Sequence, residues 1–155
     1  MSPCFMAKIA VATDETTPLT DYVIAELKRR GFEVQLFSPL PEKDLEWVDA
    51  SREMAEAIAG GNCDQGVLFC WTGTGSSIAA NKVPGIRAAL CVDAEEAIGA
   101  RKYNHANVLV MSIRLTSIPM AEEILSAWFR ESYGDEDFDI RNVQKLKELE
   151  QKYLR

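Results

Sequence analysis

Five short runs rich in apolar and β-branched residues alternate along this chain with segments of helical period. That rhythm limits the possible folds more than any other feature of the sequence. The runs at 8–13 (KIAVAT), 33–38 (EVQLFS), 65–70 (QGVLFC), 87–92 (RAALCV) and 108–112 (VLVMS) read as strands. Most are apolar at successive positions, as expected of a parallel sheet covered on both faces. Between them the spacing predicts helices over about 19–30, 49–59, 76–82, 94–103 and 119–130, with Gly31 placed to end the first and Pro119 to open the last. The alternation predicts a three-layer α/β/α sandwich around a five-stranded parallel sheet, Rossmann-like, with active groups gathered at the carboxyl ends of the strands. After Gly134, residues Ile140, Val143, Leu146, Leu149 and Tyr153 recur at helical spacing. They predict a last helix over about 140–154, with its apolar side laid on a neighbour.

With 155 residues, 47% of them apolar, the chain can bury one core, and no internal repeat or linker divides it, so residues 1–155 read as a single domain. The formal charge of −7 leaves no surplus of Lys and Arg for phosphate backbones or anionic lipid, which argues against nucleic acid and membrane surfaces as partners. No apolar run approaches the roughly 20 residues that span a bilayer. The opening MSPCFMAKIA lacks the charged and apolar regions of a secretion signal, and a cytoplasmic protein is expected. The four cysteines, Cys4, Cys63, Cys70 and Cys91, show no CxxC spacing, and His105 is the single histidine. Reduced thiols and no metal site are expected.

The chemistry gathers in LFCWTGTGSSIAANK, residues 68–82, where an apolar strand ends on Cys70 and runs into small polar residues. Thr72, Gly73, Thr74, Gly75, Ser76 and Ser77 allow close backbone approach, and Ser76 or Ser77 could cap the following helix. Such a helix start favours anions and can favour thiolate over thiol at a nearby sulfur. A thiolate beside an oxyanion cradle suits proton abstraction next to a carbonyl: the sulfur takes the proton and the amides hold the enediolate oxygen. The alternative is that Cys70 is a buried strand residue with no chemistry, as Cys4, Cys63 and Cys91 are expected to be.

The stretch CWTGTGSSIAANKVPGIRAAL, residues 70–90, resembles the signature of the ribose-5-phosphate isomerase B and galactose-6-phosphate isomerase family. Asp14 after the first strand, Asp49 opening the second helix, YNHANVLVM before the fifth strand and Arg114 after it extend the likeness from Lys8 to about Leu146. The resemblance implies a three-layer fold and aldose–ketose isomerisation of a pentose or hexose phosphate through an enediolate, without metal or organic cofactor. It implies Cys70 as the carrier of the carbon-bound proton and Thr72 as a hydroxyl that moves protons between the two oxygens. Gly73 to Ser77 correspond to an anion hole, Asp14 and Asn104 to holders of sugar hydroxyls, and Arg114 and Arg141 to phosphate-facing arginines. It also implies a homodimer or dimer of dimers in which the neighbouring subunit completes each site.

The chain departs from the family pattern at several positions. Glu15 stands where a histidine is usual, in DETT after the first strand. Tyr103 replaces the histidine credited with opening the sugar ring, and His105 is out of register. Phe138 occupies an expected arginine position, and Trp71 replaces the glycine after the cysteine. A non-phosphorylated sugar, or a sugar-binding subunit without turnover, therefore stays open as an alternative. A third reading takes GTG with Asp93, about 20 residues on, as a dinucleotide site, although the third glycine is missing. Taken alone, Asp14 and Asn104 could be cap or turn residues, Arg114 and Arg141 surface charges, and Trp71 and Tyr103 packing groups.

Overall fold

The three runs most apolar on both faces form the middle of the sheet. A computed structural model describes residues 6–37 and 46–154, so Cys4 and the end of the predicted second strand lie outside the described residues. The elements are β1 (Lys8–Thr13), α1 (Pro18–Arg29), β2 (Glu33–Leu36), α2 (Trp47–Ala59), β3 (Gln65–Cys70), α3 (Thr74–Asn81), β4 (Ala88–Leu90), α4 (Ala94–Asn104), β5 (Val108–Ser112), α5 (Ile118–Arg130) and α6 (Asp137–Tyr153). All pairings are parallel, in the order β2-β1-β3-β5-β4. The expected α/β sandwich is the observed one.

Because successive strand side chains point to opposite faces, each central strand feeds two cores. Ile9, Val11, Val67, Phe69, Leu109 and Met111 pack with the buried faces of α1, α4 and α5. Ala10, Ala12, Leu68, Val108 and Val110 pack with those of α2 and α3. Trp128 of α5 is fully buried, and its Nε1 donates to Gln65 Oε1 at 2.7 Å, so its one polar group is satisfied.

Two boundaries differ from the sequence reading for a local reason. β4 covers Ala88–Leu90 rather than 87–92, because side chains take the flanking amides: Arg87 N–H donates to Asn107 Oδ1 (2.8 Å) and Val92 N–H to Glu96 Oε2 (2.7 Å). α6 begins at Asp137, earlier than the predicted 140, and Asp137 and Asp139 in its first turn complement the helix dipole.

Glu26 ties α1 together from within. It is 5% exposed and accepts from Arg29 Nε (2.7 Å) and Arg30 Nε (2.9 Å), while Arg30 Nη2 donates to Ser126 Oγ of α5 (2.9 Å). Hydrogen bonds from Arg29 and Arg30 hold its carboxyl down at about 2 although burial pushes it up. A depressed carboxyl contributes stability that is full above the ordinary carboxylate range and is lost as pH falls through that lowered value. The gap in urea midpoint between wild type and Glu26→Gln should therefore narrow as the solution is acidified below that range. A gap independent of pH would rule this out.

Among the described residues, no helix is long and apolar enough to cross a membrane.

Candidate active site

The chain leaves β1 for β2 on one side and returns to place β3 on the other, which opens a crevice above the carboxyl ends of β1 and β3. Asp14 follows β1 and Cys70 ends β3; the register Thr13 opposite Phe69 sets the two strand ends side by side. Asp14 Oδ1 is buried, with no hydrogen-bond partner among the described residues. A buried acceptor without a donor is costly, so this atom is suited to a ligand hydroxyl. Its cap reading fails, because Thr17 caps α1.

Cys70 is 8% exposed. Past it the ladder to β5 continues, with Ile113 N–H donating to Cys70 O and Arg114 N–H to Trp71 O, both at 3.0 Å. Ser112 Oγ also donates to Trp71 O (3.0 Å). These bonds pin the backbone beside the thiol and bring Arg114 to the same rim, where its side chain is exposed.

The loop then turns on Gly73, which is left-handed (φ 80°) and acts as the N-cap of α3. A Cβ there would stand 2.6 Å from Leu90 Cδ1, so space as well as conformation demands glycine. This corrects the expected cap: α3 starts at Thr74, and Ser76 and Ser77 lie inside its first turn. Among the described residues no side chain caps α3, so the amides of Thr74, Gly75 and Ser76, which have no acceptor inside the helix, are available to an anion. Trp47 of α2 covers Gly75, where a Cβ would come within 3.0 Å of its ring. Thr72 and Thr74 are exposed, with their Oγ1 atoms 2.8 Å apart. Trp71 is exposed, unlike the buried tryptophan of α5.

Of the other described cysteines, burial is the main influence raising both thiols, and Cys91, facing Glu96 and Asp93, is pushed up to about 12. Neither is poised as a thiolate. Asp93 caps α4, its Oδ1 accepting from Glu96 N–H at 2.8 Å, and the glycine loop follows β3. The dinucleotide reading falls with those two facts.

Tyr103, Asn104 and Arg141 are not brought to this crevice within one chain. Tyr103 and Asn104 end α4 just before β5 starts, whereas Cys70 pairs with Ser112 where β5 ends. The five residues of β5 separate those levels by roughly 13 Å. Arg141 lies on α6, which is tied to this same amino end: Gly134 N–H donates to Lys102 O (2.9 Å) and Gly85 N–H to Glu150 Oε1 (3.0 Å). Tyr103, Phe138 and Arg141 are exposed there, and Asn104 borders a groove of about 680 Å³ between β4 and α6.

His105 has a structural place. It ends α4 in the left-handed region (φ 48°), stacks on Tyr133 at 4.5 Å, and its Nε2 lies 2.9 Å from Gly134 O. Arg101 covers the Tyr133 ring at 4.4 Å. This stack fixes the turn that presents Tyr103 and Asn104. Sequence reasoning missed Tyr133 and Arg101; the only signal was an aromatic residue directly before Gly134.

Comparison with known proteins agrees with this geometry. Residues 9–148 match the Ribose/Galactose Isomerase family. Ribose-5-phosphate isomerase B of Escherichia coli is 36% identical over 129 residues, covering 83% of this chain and 87% of that protein. D-erythrulose-4-phosphate isomerase of Pectobacterium atrosepticum is 39% identical over 121 residues, covering 77% and 76%. Ribose-5-phosphate isomerase B of Clostridium thermocellum superposes with a TM-score of 0.88 at 36% identity, covering 95% of this chain and 99% of that one. With the family matched over residues 9–148 and the fold superposing over 95% of its length, the chain belongs to the ribose/galactose isomerase family.

Proposed function

We propose that the chain interconverts an open-chain aldose phosphate and the corresponding ketose phosphate, at a site assembled between two copies. The observation that carries this reading is the placement of Cys70 at a strand end between the start of α3 and Asp14, neither of which has a side-chain partner among the described residues for its free amides or its buried oxygen. Cys70 Sγ takes the proton from the carbon next to the carbonyl, and the α3 amides hold the resulting enediolate oxygen. Thr72 carries a proton from one oxygen to the other, Sγ returns its proton to the adjacent carbon, and no net proton is gained or lost. Asp14 accepts a hydrogen bond from a sugar hydroxyl. Asn104 and Tyr103 reach the substrate from the second copy, and Arg114 and Arg141 face its phosphate.

A two-chain site fits the apolar face of α6, where Ile140, Leu146, Leu149 and Tyr153 are exposed in one chain. A homodimer or dimer of dimers covers that face. A catalytic thiol suits a reducing compartment, and we place the enzyme in the cytoplasm.

Tyr103 directs the substrate choice. Its phenol lacks the basic ring nitrogen that an imidazole would offer to a ring hydroxyl, which disfavours a substrate whose ring must first be opened. A tetrose phosphate esterified at its last hydroxyl has no hydroxyl left to close a five-membered ring, and a relative named for such a ketose matches this chain. Conversion of erythrulose 4-phosphate and ribose 5-phosphate, followed by proton resonance in deuterated water, tests this. The open-chain ester should show the higher kcat/KM. Inorganic phosphate should compete with it, and Arg114→Ala should weaken that competition. A free sugar turning over faster than its ester would instead favour a non-phosphorylated substrate, as Glu15 and Phe138 would allow.

A further inference from the structure

Thr72 and Thr74 are two residues apart, yet their hydroxyl oxygens are 2.8 Å from each other, a full hydrogen bond in which either can be the donor. The left-handed turn at Gly73 (φ 80°), a conformation that glycine adopts without strain, is what folds Thr74 back toward Thr72. Thr74 is the first residue of α3, so its hydroxyl stands at the helix start whose free amides face the crevice. Both threonines are exposed in the single chain, on the loop that leaves β3 at Cys70.

We propose that Thr74 is a second proton-carrying residue, and that Thr72 and Thr74 together form a two-hydroxyl relay for the oxygen-to-oxygen step. The proposal rests on the isomerase reading given above. A hydroxyl carries one O–H donor and two acceptor lone pairs, so each member of a pair can accept a proton on one side while giving up its own on the other. Two hydroxyls in contact divide the two substrate oxygens between them. The spacing of the pair is close to that of the two vicinal oxygens of a planar cis-enediolate, so each threonine can face one of them. The substrate's O–H bond breaks as its proton passes to the first Oγ1, the first hydroxyl proton passes to the second Oγ1, and the second hydroxyl proton forms the new O–H bond on the other oxygen. Both threonines end as they began, and one proton has moved between the substrate oxygens.

The test separates the carbon step from the oxygen step. Deuterium enters the carbon of recovered substrate whenever Cys70 removes and returns a proton, whether or not the oxygens exchange theirs. In Thr74→Val, net conversion of the sugar phosphate should fall at least about tenfold, less than the roughly 10²-fold of a sole proton carrier because Thr72 remains. Deuterium incorporation into recovered substrate should fall much less, so the ratio of exchange to conversion rises, and Thr74→Ser should restore conversion. Conversion in Thr74→Val within about twofold of wild type would overturn the relay, as would an equal loss of exchange and conversion. Cys70→Ala provides the independent check on the underlying reading: loss of exchange there supports it, and retained exchange overturns it whatever Thr74 does.

Discussion

Cys70→Ala should lose about 10²- to 10⁴-fold in turnover, the usual contribution of a positioned general base, and should lose deuterium exchange at the substrate carbon along with it. The expectation follows from position. Among the described cysteines, Cys63 packs in the α2–α3 core and Cys91 in the opposite one, and burial raises both thiols. Cys70 alone ends a central strand against the start of α3. The substitution removes one sulfur from a site 8% exposed, next to a backbone pinned by Ile113, Arg114 and Ser112, so the fold should persist. Circular dichroism and the urea midpoint check that, and full turnover in a folded variant would end the assignment.

The second large effect is recovery of activity from two inactive proteins. Asn104→Ala should abolish most turnover, as Cys70→Ala does, although the two positions lie at opposite ends of the sheet in one chain. If the site is shared across a two-fold interface, a mixed dimer holds one site with both residues intact and one with neither. Unfolding the two variants together and refolding them at equal concentration should therefore restore about a quarter of wild-type activity, since half the dimers are mixed and half their sites are whole. Mixtures that stay inactive while mixed dimers form would show that Asn104 does not act across the interface. The restored fraction should disappear on dilution below the dimer's dissociation constant.

Much of this protein could be read from its residues. The central strands at 8–13, 65–70 and 108–112 and the helices between them were legible because apolar spacing records which side chains must leave water, whatever they pack against. The place of residues 70–77, where a strand ends on Cys70 and a short glycine-containing loop leads into a helix, was legible for a similar reason. Edge strand β4 and the start of α6 were misjudged by a few residues because side-chain acceptors from Asn107 and Glu96, and the dipole acting on Asp137 and Asp139, decide those ends.

Tertiary structure decided the rest. Ser76 and Ser77 have the composition of helix caps, but Gly73 takes the role because the chain turns there through the left-handed region, where a Cβ would also meet Leu90 from a different strand. That turn sets where α3 begins, which amides are free and how Thr74 meets Thr72. Asp14 and Asn104 look alike in sequence as short polar residues at the ends of elements. Packing leaves an oxygen of the first buried and unpartnered beside Cys70, and sheet direction carries the second to the far end of β5. Local sequence encodes which groups are present and which face each side chain takes, because those follow from backbone period and hydration. Which groups meet depends on strand order and on crowding between residues distant in the chain, and those exist only once the sheet has closed around its two cores.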